Sequence, residues 1–200
     1  MVTMFAVVMG YLIGSIPSGV LFTRSSGIDL RRSGSGNIGA TNVARTVGAR
    51  AGLLTLAADI LKGLGPTCVT RVVVADPSAA TLVGIATVVG HVYPLFARFR
   101  GGKGVATAFG AFLVLAPLGA LVSFVVFALG AATTRYVSVA SLLAALTLPL
   151  ASGVLGYGWG LTMAATATAF LVIVRHRDNL RRLRAGTEQP FRVAGSGPER

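Results

Sequence analysis

The sequence predicts an all-α integral membrane protein with seven transmembrane helices, some of them short. The N-terminus is expected outside and the C-terminus in the cytoplasm. Three observations carry this. Hydrophobic residues make up 54% of the chain and charged residues only 12%, too few charges to cover a soluble domain of 200 residues. Apolar runs near the length of a bilayer crossing recur along the chain. Basic residues are confined to clusters between those runs. Residues 1–200 fit one membrane-embedded domain, and residues 175–200 form a basic cytoplasmic tail.

The apolar runs are Met1–Phe22, Ala51–Val74, Ser78–Ala97, Gly104–Ala116, Leu118–Ala131, Val137–Ala151 and Gly158–Val174. The first lacks a basic n-region and is followed by Gly14-Ser15-Ile16-Pro17-Ser18-Gly19, not by a small-x-small cleavage site, so it reads as a retained helix. The first three runs are long enough to cross alone. The fourth and fifth are short and divided by Pro117, so they form either two crossings or one kinked helix.

Charge parity chooses between these. Sixteen of the eighteen basic residues fall in four groups: Arg24 to Arg50, Arg98 to Lys103, Arg135, and Arg175 to Arg200. With seven crossings all four groups share one side, which the positive-inside rule makes cytoplasmic. One kinked crossing would put Arg135 and the tail outside. The localisation that follows is the cell (inner) membrane, multi-pass, with the active site facing the cytoplasm. The outward connections, Ala75-Asp76-Pro77, Pro117 and Ser152–Tyr157, are minimal, so chemistry belongs to the long inward loops.

The first inward loop runs from Arg31 to Arg45. Gly34, Gly36 and Gly39 let backbone N–H groups converge on an anion. Ser35, Asn37, Thr41 and Asn42 add donors, and Arg45 a guanidinium fork suited to phosphate. The Gly34-x-Gly36-x-x-Gly39 string formally matches a dinucleotide fingerprint, but no βαβ unit surrounds it. The second loop, Arg98-Phe99-Arg100-Gly101-Gly102-Lys103-Gly104, leads into a helix. It departs from a Walker A loop, yet two glycines, Lys103, Gly104 and a helix N-terminus make a phosphate seat. In the tail, His176 and Asn179 share a helical face if the last helix continues. The arginines beyond Arg177 serve equally well as contacts to anionic lipid. His91, beside Tyr93-Pro94 and close to Lys103, is a candidate substrate contact. Asp59 and Lys62 lie within the second run at i, i+3 and fit a structural ion pair facing the bundle interior.

Other chemistries find little support. The formal net charge of +12 would suggest nucleic acid in a soluble chain, but no aromatic side chains interleave the basic ones as stacking platforms. Cys68 alone forms no disulfide within the chain and, in an apolar run, is expected to be a buried inert thiol. Two His and one Cys stand at no metal-ligand spacing, so no metal is expected. Neither a Gly-x-Ser-x-Gly elbow nor a His-x4-Asp acyltransferase signature is present. A transporter for a small organic phosphate is the competing class. It would line both faces with polar groups, whereas these loops are polar on one side.

Three segments, Ser35-Gly36-Asn37-Ile38-Gly39-Ala40-Thr41-Asn42-Val43, Arg100-Gly101-Gly102-Lys103-Gly104-Val105-Ala106-Thr107, and Arg175-His176-Arg177-x-Asn179 with Gly186-Thr187-Glu188, resemble those of the bacterial acyl-phosphate:glycerol-3-phosphate acyltransferases, the PlsY family. Gly14-Ser15-Ile16-Pro17-Ser18-Gly19 and Asp59-x-x-Lys62-Gly63 fit as well, and the resemblance covers nearly the whole chain. It implies transfer of a fatty acyl group from acyl phosphate to the 1-hydroxyl of glycerol 3-phosphate, giving 1-acylglycerol 3-phosphate and phosphate, the first acylation of phospholipid synthesis. It implies no cofactor and no acyl-CoA donor. By the same resemblance Ser35 and Arg45 are essential, and Gly101, Gly102, Lys103 and Gly104 bind glycerol phosphate. His176 and Asn179 are critical for activity, and Glu188 for integrity. The expected partners are the two substrates and membrane lipid. With no interface motif evident, a monomer is the simpler expectation.

Overall fold

The computed structural model describes residues 1–191, 193 and 194; Arg192 and Arg200 of the basic tail lie outside the described residues. Every regular element among the described residues is helical. In chain order these are α1 (Val2–Gly14), α2 (Ser18–Thr23), α3 (Ala40–Thr46), α4 (Ala49–Val73), α5 (Pro77–Val92), α6 (Val105–Leu115), α7 (Pro117–Thr134), α8 (Val137–Val154), α9 (Trp159–Arg175) and α10 (Arg177–Arg184), with 3-10 turns at Arg24–Ser26 and Leu95–Ala97. Five segments are long and apolar enough to cross a membrane: Val2–Ser26, Ala49–Val73, Pro77–Ala97, Pro117–Thr134 and Val137–Val154; α6 and α9 are shorter apolar helices.

The distribution of side chains is that of an integral membrane protein. Large apolar residues such as Phe5, Leu61, Val72, Leu129 and Phe170 face outward, while the interior is rich in alanine, glycine, serine and threonine. In lipid, association rests on close packing of small residues. At the α4–α6 contact a Cβ added to Gly63 would lie 2.0 Å from the Thr107 carbonyl oxygen, and one on Gly110 2.0 Å from that of Ile60. The backbones therefore touch, and only glycine fits. Several buried hydroxyls are satisfied within their own helices: Thr67 donates to the Gly63 carbonyl at 2.7 Å and Thr168 to that of Ala164 at 2.8 Å. Cys68 departs from expectation. It is exposed on the outer face of α4, because the buried stripe of that helix passes through Thr67 and Thr70 instead.

Three breaks in the helices matter for the site. The first apolar run is not continuous: Pro17 interrupts it, since proline lacks an N–H and crowds the preceding turn. The break leaves the Ile16 carbonyl available, and Lys62 Nζ donates to it at 3.1 Å. At Ala116 the backbone leaves the helical region (φ −143°, ψ 70°) and Pro117 opens α7, so the fourth and fifth runs are two helices. At His176 (φ −97°, ψ 6°) α9 ends and α10 begins, so the expected continuation is interrupted. His176 and Asn179 are nevertheless both buried, on the same inward side.

The α1–α5, α4–α6 and α7–α8 pairs are packed most extensively, and α8 also packs on α9. The four basic segments meet at one end of the bundle. Arg31 donates to the Ala97 and Arg100 carbonyls at 3.0 and 3.2 Å. Arg175 reaches the Gly101 carbonyl at 3.3 Å. The Phe191 N–H bonds the Arg135 carbonyl at 2.9 Å, and the Ala194 N–H that of Ala44 at 3.1 Å.

Candidate active site

A cavity of about 740 Å³ opens where those segments meet and continues between the helices. Its end at the loops is polar and cationic, lined by Ser35, Arg45, Lys103, His176, Asn179 and Glu188. Its inner part is apolar, lined by Leu56, Phe109, Phe112, Phe124 and Leu148 from four helices. A phosphate and a long hydrocarbon chain would each find a matching surface in it.

The first inward loop is organised by Asn42 at the buried start of α3. Its Oδ1 accepts the Ser35 N–H at 2.8 Å. Its amide donates to the carbonyls of Leu30, Ser33 and Asn37 at 3.2, 3.1 and 2.8 Å. Asn37 Oδ1 in turn accepts the Gly39 N–H at 2.8 Å. Asn42 therefore shapes the loop from within, and the half-buried Ser35, Thr41 and Arg45 side chains are left on the cavity wall. Gly36 lies outside the lining; its positive φ of 73° turns the chain.

The second loop differs from a simple nest. The Gly101 N–H donates to the Val92 carbonyl at 3.2 Å and the Gly102 N–H to that of His91 at 3.1 Å. Both glycines are buried behind the cavity wall. Lys103 and Gly104 form the wall itself. Gly104 has φ 84° and caps the N-terminus of α6. Lys103 Nζ hydrogen-bonds Asn179 Oδ1. Burial pushes the Lys103 ammonium down to about 8; Glu188 opposes the shift, and the charges of Arg182 and Arg45 add to it.

His176 Nδ1 lies 2.8 Å from the Val172 carbonyl oxygen, an acceptor only, so the neutral ring carries its proton there and leaves Nε2 as an acceptor. Burial, helped by the Lys103 charge, holds this imidazole down at about 4, hence neutral near pH 7. Glu188 ties the floor together. Its carboxylate accepts from Ser138 Oγ at 2.7 Å, Asn179 Nδ2 at 2.5 Å and Arg182 Nε at 2.7 Å. Burial alone would raise its carboxyl, but these hydrogen bonds outweigh it and hold the group below the usual range. Asp59 and Lys62 form the expected ion pair, with Nζ 2.8 Å from Oδ1. His91 is buried beside them, its Nδ1 3.6 Å from the same oxygen, and it touches the cavity only at the wall.

Sequence reasoning left Arg182, Arg175 and Ser138 without a place in the site. Arg182 stands three residues after Asn179 on α10, which is the signal that could have found it. Arg175 opens the third motif, but its partners Gly101 and Gly102 lie on another loop; Ser138 carried no signal, because its partner Glu188 lies on a distant segment.

A cationic mouth opening into an apolar groove within a helical membrane bundle defines a lipid-modifying membrane enzyme. A family model described as glycerol-3-phosphate acyltransferase matches residues 4–186. The chain is 49% identical over 186 residues to the glycerol-3-phosphate acyltransferase of Geobacter sulfurreducens, covering 92% of this chain and 95% of that protein. It is 40% identical over 199 residues to that of Rubrobacter xylanophilus, covering 98% and 100%. Among solved structures it resembles PlsY (YgiH), an integral membrane glycerol 3-phosphate acyltransferase. The glycerol 3-phosphate form matches at 41% identity with a TM-score of 0.92, and the lysophosphatidic acid form at 40% with 0.89, each over 96% of both chains. The chain belongs to the glycerol-3-phosphate acyltransferase family. It is an enzyme of phospholipid synthesis that makes lysophosphatidic acid.

Proposed function

We propose that the acyl donor is acyl phosphate and that the acyl group passes directly to the 1-hydroxyl of glycerol 3-phosphate. One observation carries the reading: a single cavity joins Ser35, Arg45, Lys103 and Arg182 to an apolar groove. Both substrates carry phosphate and one carries a long chain, so this surface suits both at once. The hydroxyl oxygen attacks the acyl carbonyl carbon, the carbon–oxygen bond to phosphate breaks, and phosphate leaves with the electron pair. An acyl phosphate is a mixed anhydride with a good leaving group, so positioning and charge neutralisation suffice.

Ser35 acts as a donor to phosphate oxygen in this reading, not as a nucleophile; no base hydrogen-bonds its hydroxyl among the described residues. A His176 held at about 4 is a weak base, which favours a substrate phosphate oxygen as proton acceptor. His176 Nε2 and Asn179 orient the glycerol hydroxyls, Arg45 and Lys103 neutralise phosphate, and Gly104 leads the chain to the α6 N-terminus. The loop residues Asn37, Gly39, Thr41 and Asn42 hold the Ser35 turn in shape. The meeting of all four basic segments at one end supports seven crossings, with that end in the cytoplasm. The enzyme acts as a monomer, since one chain supplies the whole cavity.

The test is purified protein with palmitoyl phosphate and glycerol 3-phosphate, followed by lysophosphatidate and phosphate release, beside a reaction with acyl-CoA. Product from acyl phosphate alone is expected. Product from acyl-CoA at a similar rate would overturn the donor assignment.

A further inference from the structure

Asp59, Lys62 and His91 form a buried polar cluster beside the Lys103 loop, and Asp59 and His91 reach the cavity wall. Asp59 and Lys62 stand one turn apart on α4, both buried, with Lys62 Nζ 2.8 Å from Asp59 Oδ1. No hydrogen bond of good geometry reaches that oxygen, so charge is the main tie. Lys62 also bonds the Ile16 carbonyl at the α1–α2 break, at 3.1 Å. His91, near the end of α5, brings Nδ1 to 3.6 Å from the same Asp59 oxygen. Ionised groups within a membrane span are costly and are kept where they have a task.

The other side of His91 bears on the loop that carries Lys103. A Cβ on Gly102 would come within 2.1 Å of His91 Nε2, and one on Gly101 within 2.1 Å of the His91 carbonyl oxygen. The two glycine N–H groups bond the carbonyls of Val92 and His91 at 3.2 and 3.1 Å. Arg175 holds the loop through its carbonyls, donating to Gly101 and Gly102 at 3.3 and 3.4 Å while stacking on Tyr93. The pair of glycines thus sits between an imidazole and a guanidinium, and the next residue is Lys103.

We propose that Asp59 is a positioning residue for the acyl transfer: with Lys62 it fixes the His91 ring, and the ring sets where Gly101 and Gly102 present the Lys103 ammonium. The inference rests on the reading of Lys103 as a phosphate ligand. A structural ion pair alone would need neither the imidazole nor glycine at both loop positions. A carboxylate is also a poor direct ligand for two phosphate-bearing substrates, which leaves placement as its chemistry.

Coupling measurements test this. kcat/KM for glycerol 3-phosphate is compared in the parent, Asp59→Asn, Lys103→Ala and the double variant. We expect Asp59→Asn to lose about tenfold in the parent and less than about twofold once Lys103 is gone. Equal losses in both backgrounds overturn the proposal. Asp59→Asn leaves Lys62 unpaired in the span, so Asp59→Asn/Lys62→Met is measured in the same way, with the same coupling expected. The His91–Gly102 contact gives a second cycle that does not need Lys103→Ala. Gly102→Ala should cost about tenfold in the parent and less than about twofold beside His91→Ser, whose side chain leaves room for the new methyl. Full additivity there also overturns the proposal. The alkaline limb of kcat/KM set by Lys103 should move in Asp59→Asn; an unmoved limb would mark a merely structural role. A parent inactive with acyl phosphate would instead fail the donor assignment, and the cycles are then read with whichever donor the parent uses.

Discussion

Lys103 stands between two positive neighbours, Arg182 and Arg45, and two negative ones, Glu188 and Asp178, with Glu188 the strongest of the four. Its ammonium is held by Asn179, so in the proposed role it would need little further ordering to meet phosphate. Lys103→Ala is expected to weaken glycerol-3-phosphate use by about 2–4 kcal/mol in transition-state terms, the loss of a buried charged contact. Lys103→Arg should rescue poorly, because a planar fork does not occupy an ammonium's position. Near-normal kcat/KM in Lys103→Ala would assign the residue to membrane anchoring. The pH dependence follows from the same group. Burial brings Lys103 down to about 8, so if it neutralises phosphate as proposed, the competent charged form is present below that pH and is lost above it. The kcat/KM profile should therefore fall on the alkaline side near pH 8, and in Lys103→Arg the fall should move to higher pH. At this scale the sequence is informative where chemistry is local. Ser35, Arg45, Lys103, His176 and Asn179 could be picked out by residue type and crowding, and they converge on one cavity. The work of Asn42 could not, since its partners Leu30, Ser33 and Asn37 are defined only by the path of the loop. The N–H groups of Gly101 and Gly102 were equally hidden, because the carbonyls they meet belong to the end of another helix.

Between elements, Glu188 is the tie that matters most for the site. It joins Ser138 at the start of α8 to Asn179 and Arg182 on α10, and Asn179 carries the link on to Lys103. Glu188→Ala should lower stability by about 2–4 kcal/mol and abolish activity with it, since Arg182 and Asn179 lose their acceptor together. The pH dependence of this difference has a definite sign. The folded carboxyl lies below its usual range, so its stabilisation is present above the unfolded value and is lost as pH falls through the folded one. Thermal unfolding of parent and Glu188→Ala should therefore differ near neutral pH and converge in acid; a constant difference would contradict the role. Hydropathy could show that helices exist but not where they break. The first run reads as one helix, but it breaks at Pro17, and Lys62 meets the Ile16 carbonyl that the break exposes. The turn at His176 had no signal in residue type, because a histidine before an arginine-rich helix reads as continuous.

For the molecule as a whole, the proposed seven crossings put all four basic segments on one side, and those segments meet at one end of the bundle. Cysteines at Ser33, Arg100, Thr134 and Thr187 should be labelled only from the cytoplasmic side, in a Cys68→Ser background that removes the exposed native thiol. Labelling at position 187 from outside would restore one kinked crossing through Pro117. The same geometry joins a polar mouth to an apolar groove, and the proposed reading is that it brings two phosphate-bearing substrates together without a covalent stop on the enzyme. A quenched-flow turnover with labelled acyl phosphate, run with and without glycerol 3-phosphate and followed by intact-mass analysis, tests that claim most directly. Direct transfer predicts phosphate release only when glycerol 3-phosphate is present, and no acyl mass on the protein. A burst of phosphate equal to enzyme without acceptor, with an acyl group on the peptide holding Ser35 that disappears in Ser35→Ala, would contradict it.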